Sequence, residues 1–221
     1  MKNNAAPIGL LSLPVLVGAL GFFVDVYDLL LFSIVRKASL AELGVAAEAM
    51  KTHGEQILSW QMLGLTIGGI GWGMLGDKKG RKSVLFGSIL LYSLATLANG
   101  LVQTTEQYLW LRFIAGLGLA GELGASITLT SELLPKEKRG LAAAIIATSG
   151  VAGTIAAYFV YTLSGEDWRL CYYIGGGMGL ALLSICPLSP RHPHWPAGVV
   201  CYWCVGQLFR RVCAALGHPK F

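Results

Sequence analysis

The stretch GMLGDKKGRK, from Gly73 to Lys82, places a dense group of charged residues between two strongly apolar segments. The whole chain of 221 residues is 54% hydrophobic and 13% charged, whereas soluble domains carry about 25% charged residues. Several apolar runs on either side of this stretch reach the roughly 20 residues that a helix needs to cross a bilayer. The composition therefore predicts an all-α membrane protein, in which this stretch is a charged loop between two membrane-spanning helices.

Apolar runs predict six membrane-spanning helices, at residues 9–34, 57–76, 83–102, 107–131, 141–163 and 168–187. Because basic residues mark the cytoplasmic loops of membrane proteins, we expect a multi-pass protein of the cell membrane with both termini in the cytoplasm. The same distribution, between spans rather than along one face, argues against nucleic-acid binding. The basic residues assigned to the cytoplasmic side are Lys2, Lys78, Lys79, Arg81, Lys82, Lys136, Lys138, Arg139, Arg191, Arg210, Arg211 and Lys220.

Small residues recur at a spacing of four in the predicted spans. Helices in a membrane associate through close packing, and small side chains permit this because they let two backbones approach each other. The pattern therefore predicts a tightly packed bundle, although glycine is also common in membrane helices in general. The pairs are Gly64/Gly68, Gly69/Gly73, Gly116/Ala120, Ala120/Gly124, Gly153/Ala157 and Gly175/Gly179.

Five ionisable residues lie within or at the edge of these apolar spans: Asp25 and Asp28 in the first, and Arg112, Glu122 and Glu132 in the fourth. A charge at the bilayer centre costs about 2.5–3.5 kcal/mol on insertion scales, so each should face a partner or a water-filled cavity. The two spans run in opposite directions, and the helical rise places Asp28 and Arg112 at depths that allow them to pair. Glu122 is expected roughly 15 Å deeper than Arg112, too far away to share that contact.

Two interpretations of these charges remain open. Buried carboxylates such as Asp25 and Glu122 can carry and release protons near neutral pH, which is the chemistry of a proton-coupled carrier. Alternatively, Asp28 and Arg112 form a structural ion pair and Glu122 hydrogen-bonds between helices, or Arg112 extends to the outer interface. We do not expect an enzyme, a metal or a cofactor, since the spans contain no nucleophile with a base and no metal-ligand pair at helical spacing.

The opening stretch resembles the signature that joins the second and third helices of the major facilitator superfamily. A second stretch, SELLPKEKRG, is similar to an acidic and basic pair after the fourth helix of sugar-porter-like members. The resemblance implies a cytoplasmic gate in which the charged residues form an ion network. Its residues are Gly73, Asp77, Gly80, Arg81, Lys82, Glu132 and Arg139. A third element of those members, Pro-Glu-Ser-Pro-Arg, is matched only in part by PLSPR, where Leu188 stands in place of the Glu.

Two further matches point to a subgroup. The stretch DVYD, Asp25 to Asp28, is similar to the Asp-Gly-Tyr-Asp of aromatic-acid and related organic-anion proton symporters. RFIAGLGLAGELG, which begins at Arg112, resembles the same symporters and the nicotinate and synaptic-vesicle-like branch. The resemblance implies proton coupling by Asp25, Asp28 and Glu122, and a substrate carboxylate bound by Arg112. It also implies the N-terminal half of the family fold, with six helices built as two inverted three-helix repeats.

We expect residues 1–188 to form this transporter half and residues 189–221 to form a divergent tail. The tail contains Cys201 and Cys204 as a C-x-x-C, but its ligand spacings match no zinc module. Its abrupt change of composition favours a segment translated out of frame, or a divergent end after truncation.

The resulting functional hypothesis is proton-coupled secondary transport of a small organic solute, with an organic anion favoured. The expected partners are the solute, the proton and the lipid bilayer. The alternative hypothesis is a transport-inactive membrane fragment, or a half-transporter that needs a second half.

Overall fold

The computed structural model describes residues 13–79, 81–133 and 136–185, and these form six α-helices with no β-strand among them. The predicted tail, residues 189–221, lies outside the described residues, so its boundary stays a prediction. The helices are α1 (Leu13–Glu42), α2 (Met50–Lys79), α3 (Arg81–Asn99), α4 (Thr105–Leu133), α5 (Lys136–Leu163) and α6 (Trp168–Ile185).

The first two helices are longer than the apolar runs predict. α1 continues past residue 34 to Glu42, and α2 begins at Met50 rather than at residue 57. An apolar run ends where polar residues begin, whereas a helix continues as long as its backbone hydrogen bonds do. α1 finally ends at a turn in which Gly44 has a φ of 77°. The amide of Val45 then donates to the Leu40 carbonyl at 3.0 Å, which is a glycine-dependent way to end a helix.

The helices pack in a pattern that repeats between the first three and the last three. α2 packs along α4, and α1 packs along α5. These two pairings become each other when α1–α3 are exchanged with α4–α6. The pairings of α3 with α4 and of α1 with α6 are related in the same way, and α3 packs against α6. This arrangement confirms the predicted two inverted three-helix repeats.

Small residues make the closest helix contacts, as predicted. A Cβ atom added to Gly64 in α2 would overlap the Phe113 carbonyl of α4, and one added to Gly153 in α5 would overlap the Phe23 carbonyl of α1. Gly68 is similar, since its added Cβ would lie 2.6 Å from a backbone oxygen of α4. At these positions any side chain larger than hydrogen would push two backbones apart.

The pair Gly69/Gly73 does not follow this pattern, and the prediction of close packing there is wrong. A Cβ atom added at either residue would meet nothing within 4 Å. Gly64 and Gly68 already occupy the face of α2 that packs on α4, and Gly69 and Gly73 lie on an exposed face of the same helix. Sequence spacing alone does not show which face of a helix meets a neighbour.

One end of the bundle is held together by contacts around Arg169, at the start of α6. Its guanidinium pairs with Glu42 at the end of α1 (Nη2–Oε1, 3.0 Å) and donates to the Gly100 carbonyl after α3 at 2.9 Å. The neighbouring Trp168 donates its indole N–H to Glu42 at 2.6 Å. These contacts fix the adjoining ends of α1, α3 and α6 relative to one another.

Large apolar side chains cover the outward faces of α2 and α5. Ile70 is 64% exposed and Val151 is 62% exposed, and apolar surface of this kind suits contact with lipid or with another protein rather than with water. By length and composition alone, the stretches Gly18–Glu42 and Gly140–Leu163 of the described helices are apolar enough to cross a membrane.

We predict opposite effects of alanine at two glycines of α2. Gly64→Ala should destabilise the protein by about 1–3 kcal/mol, because the added methyl overlaps a backbone carbonyl that cannot turn away. Gly69→Ala is the matched control and should be neutral or stabilising, since alanine is the better helix former and the site has open space. Thermal unfolding of the purified protein in detergent measures both. Equal losses for the two variants would contradict the packing described here.

Candidate functional site

A buried ion pair lies at the centre of the bundle. Arg112 of α4 and Asp28 of α1 are both 0% exposed, and Arg112 Nη1 donates to Asp28 Oδ2 at 2.8 Å. The amide of Gln61 in α2 also reaches this oxygen, at 3.5 Å. The expected pairing of Asp28 with Arg112 is therefore present. The alternative in which Arg112 extends to the outer interface is wrong, because its side chain is fully buried and pairs with Asp28.

Aromatic side chains surround the Arg112 guanidinium. Its Nη2 atom donates to the hydroxyl of Tyr172 in α6, and that hydroxyl lies 2.5 Å from the hydroxyl of Tyr108. The guanidinium carbon is 5.0 Å from the Phe32 ring centroid and 4.8 Å from that of Tyr172, distances at which a cation is attracted by an aromatic ring. The site therefore combines one cation, one carboxylate and a ring-lined wall.

The ion pair keeps some of its hydrogen-bonding capacity. Asp28 Oδ1, Arg112 Nε and Gln61 Oε1 are buried and have no hydrogen-bond partner among the described residues. Buried polar atoms are nearly always hydrogen-bonded, so atoms of this kind call for an explanation. A bound carboxylate would accept a hydrogen bond from Arg112 Nε, and a proton would engage Asp28 Oδ1.

A second pair of acidic residues lies on the same two helices. Asp25 and Glu122 are each 1% exposed, and their carboxyl groups interact electrostatically. The Glu122 carboxyl lies against Gly21, one turn before Asp25 along α1. Glu122 is thus next to Asp25 rather than Arg112, as its predicted depth implies. Four of the predicted charges thus form two groups, Asp28 with Arg112 and Asp25 with Glu122.

The residues of the predicted cytoplasmic gate lie at neighbouring helix ends or just outside the described residues. Gly73 and Asp77 are exposed in the last turns of α2. Gly80 is outside the described residues. Arg81 and Lys82 begin α3, Glu132 is near the end of α4, and Arg139 is near the start of α5; nothing is described of these four side chains. The gate therefore stays a prediction.

Several residues of the site were not predicted. Gln61 carries a signal, since it is an amide inside an apolar run, and Tyr108 is one helical turn before Arg112. Tyr172 and Phe32 carry none, because aromatic residues are ordinary in membrane helices and only the packing of α6 and α1 brings them to Arg112. Among the described residues no group of three His, Cys, Asp or Glu side chains is placed to hold a metal.

Removing the positive charge should cost more stability than removing both charges. Arg112→Gln leaves the Asp28 carboxylate buried without its counter-charge, which typically costs about 3–5 kcal/mol. The double variant Arg112→Gln/Asp28→Asn leaves no charge and should lose clearly less. Thermal unfolding in detergent compares the two variants. A double variant as unstable as Arg112→Gln would show that the ion pair is not the source of the loss.

Comparison with known proteins identifies the family. The family model of the Major Facilitator Superfamily matches residues 8–200. The niacin transporter NiaP of Acinetobacter baylyi is 34% identical over 122 residues, which are 54% of this chain and 28% of that protein. The gentisate transporter of Corynebacterium glutamicum is 33% identical over 158 residues, or 70% of this chain and 34% of that protein.

A solved structure shows the same fold. The xylose transporter XylE from E. coli, in an inward open conformation, superimposes with a TM-score of 0.72 at 19% identity, covering 94% of this chain and 56% of that one. The chain spans less than half the length of the curated relatives it matches. The family consists of membrane transport proteins rather than enzymes, in agreement with the prediction. The chain belongs to the Major Facilitator Superfamily, and its six described helices correspond to about half of that fold.

Proposed function

We propose that this protein serves proton-coupled transport of a small organic anion across the cell membrane, with an aromatic carboxylate as the favoured substrate. The observation that carries the proposal is the Asp28–Arg112 ion pair, buried at 2.8 Å within a membrane bundle. Ionisable groups in this position are expensive and mark substrate pathways and proton relays. The named substrates of two relatives, niacin and gentisate, are both carboxylates on an aromatic ring.

Arg112 is the proposed contact for the substrate carboxylate. A guanidinium presents its donors in a planar fork that matches a carboxylate. The rings of Phe32 and Tyr172 lie within 5.0 Å of it and offer an apolar surface for the ring of the substrate. In the described state Asp28 already occupies one side of the fork, so a substrate carboxylate must compete with Asp28 for Arg112.

This competition provides a way to couple protons to substrate. A proton taken up by Asp28 removes its negative charge and weakens the ion pair with Arg112. Arg112 is then free to bind the substrate carboxylate. Loss of that proton restores the ion pair and displaces the substrate. Linkage of this kind is reciprocal, so substrate binding also favours proton binding. Asp25 and Glu122, the second buried acidic group, are proposed to exchange protons along the same route.

The cytoplasmic gate is proposed to control which side of the membrane the site faces. Transporters of this kind alternate access by rocking one bundle against another around a fixed site. The proposal assigns Asp77 as the acidic centre of the gate and places both termini in the cytoplasm. The other proposed gate residues are Gly73, Gly80, Arg81, Lys82, Glu132 and Arg139.

The second candidate is a half-transporter that needs a partner, or a fragment that transports nothing. The chain spans less than half the length of the relatives that it matches. A transport assay on the purified chain separates the two candidates, because a carrier must show saturable flux driven by a pH gradient.

We predict that liposomes containing the purified chain take up labelled nicotinate or gentisate when the outside is more acidic than the inside. Uptake should saturate with substrate and stop when an ionophore removes the pH gradient. Arg112→Gln should lower uptake at least tenfold, because the substrate carboxylate loses its charged partner. Uptake by the wild-type chain no greater than by protein-free liposomes would contradict transport by this chain alone and favour the second candidate.

Asp77→Asn should slow transport without weakening substrate binding. The substitution removes the gate charge, whereas Asp77 lies at the exposed end of α2, away from the buried Arg112. Uptake rate and equilibrium binding of the same labelled substrate, measured on one preparation, separate the two effects. A loss of affinity with an unchanged maximal rate would contradict the assignment of Asp77 to the gate.

A further inference from the structure

Gly21 in α1 packs against an acidic side chain, whereas the other closely packed glycines in the described helices meet backbone atoms or uncharged side chains. At Gly64 and Gly153 an added Cβ atom would overlap a backbone carbonyl oxygen of the neighbouring helix. At Gly21 it would overlap the Oε1 atom of Glu122, with Cδ and Cγ of that side chain at 3.2 and 3.6 Å. The space that a side chain at residue 21 would take, here named the Gly21 notch, is thus filled by an acidic group from α4.

The Gly21 notch holds Glu122 next to another carboxyl group. Asp25 follows Gly21 by four residues and therefore projects from the same face of α1. Both Asp25 oxygens and Glu122 Oε1 are buried without a hydrogen-bond partner among the described residues. Arg112 is engaged by Asp28 instead. Two carboxylates at close range repel each other, and one proton bound between them removes most of that repulsion.

We propose that Gly21 is a positioning residue for proton binding: the Gly21 notch seats the Glu122 carboxyl beside Asp25, so that the two carboxyl groups bind one proton between them. This inference rests on the proton-coupled function proposed above and adds the residue that brings the pair together. It assigns a role to a residue that bears no ionisable group and lies outside the stretches on which the family resemblance rests. It also gives the Asp25–Glu122 pair a task distinct from that of Asp28, which is balanced by Arg112.

Among the side chains that the structure describes, few other titratable groups lie near the pair. α1 contributes Asp28, and α3 contributes Tyr92, which is fully buried and whose hydroxyl has no hydrogen-bond partner in the described part of the chain. α4 contributes Arg112 and α6 contributes Tyr172, which are bonded to each other. α2 contributes the uncharged Gln61, and α5 faces α1 at this level with uncharged residues. A protonation change at this level therefore reports chiefly on the carboxyl groups.

Gly21→Ala tests whether the Gly21 notch positions Glu122, without breaking the contact between α1 and α4. The atom that must move is the tip of a flexible side chain, so Glu122 can turn out of the notch while the backbones stay in place. The matched control is Gly177→Ala in α6, where an added Cβ atom meets nothing within 4 Å. Both substitutions add the same methyl group at a residue well inside the length of a helix, away from its ends.

The experiment is an infrared pH titration of the full chain in lipid, with the proton itself as the probe. Protonated carboxyl groups absorb at a frequency separate from that of carboxylates, and Glu122→Gln identifies the part of the signal that depends on Glu122. Gly21→Ala should shift the midpoint of that signal by about one pH unit or more, a tenfold change in proton affinity. Gly177→Ala should leave the midpoint unchanged. In the Glu122→Gln background, Gly21→Ala should cause no further shift, because interacting residues are not additive.

Two results would overturn the inference. If Gly21→Ala has the same titration midpoint as the wild-type protein, the Gly21 notch does not affect proton binding. A shift of equal size in the Glu122→Gln background would show that the methyl group acts through the helix and not through Glu122. If Glu122→Gln itself leaves the whole titration unchanged, Glu122 binds no proton, and the proposed coupling role of that residue fails first.

Discussion

The positive charge of Arg112 is the constraint on which the centre of this bundle depends. A guanidinium cannot be deprotonated in a protein, and in a membrane interior it must be surrounded by acceptors or it will not be tolerated. α1 supplies Asp28 and α6 supplies Tyr172, whose hydroxyl also meets Tyr108. Asp28 belongs to the first three-helix repeat, whereas Arg112, Tyr108 and Tyr172 belong to the second. The charge of Arg112 therefore ties the two repeats to each other.

Close backbone packing makes that arrangement possible. Gly64 and Gly116 let α2 and α4 approach until each glycine touches a carbonyl of the other helix, which brings Gln61 to the ion pair. Gly153 does the same for α5 and α1. At one end of the bundle, Glu42 and Arg169 hold α1 and α6 together, one turn from Tyr172. The helices around the ion pair are therefore closely packed and have little freedom to relax. A change of charge at Asp28 or Arg112 is expected to shift the packing of several helices.

Much of the fold is predictable from the sequence. Apolar runs locate all six described helices, and the rise of a helix is enough to predict that Asp28 meets Arg112 and that Glu122 does not. What the sequence does not reveal is which face of a helix meets a neighbour. Gly69 and Gly73 have the spacing of packing residues but lie exposed. Gly21 belongs to no such pair, yet the Glu122 carboxyl packs against it.

The candidate site shows the same division. Ionisable residues in apolar runs are conspicuous, because their burial is costly, so Asp25, Asp28, Arg112 and Glu122 can be selected without a structure. The aromatic wall cannot be, since Phe32 and Tyr172 are typical membrane residues whose contact with Arg112 depends on how distant helices pack.

The central claim is that a substrate carboxylate and Asp28 compete for Arg112, with a proton released or bound as they exchange. The most direct measurement counts the protons that the purified protein takes up, in weakly buffered solution with a pH-sensitive dye, as nicotinate or gentisate binds. The account predicts uptake of about one proton for each carboxylate bound, and none by Asp28→Asn. Binding of the carboxylate with no proton uptake by the wild-type protein would contradict it.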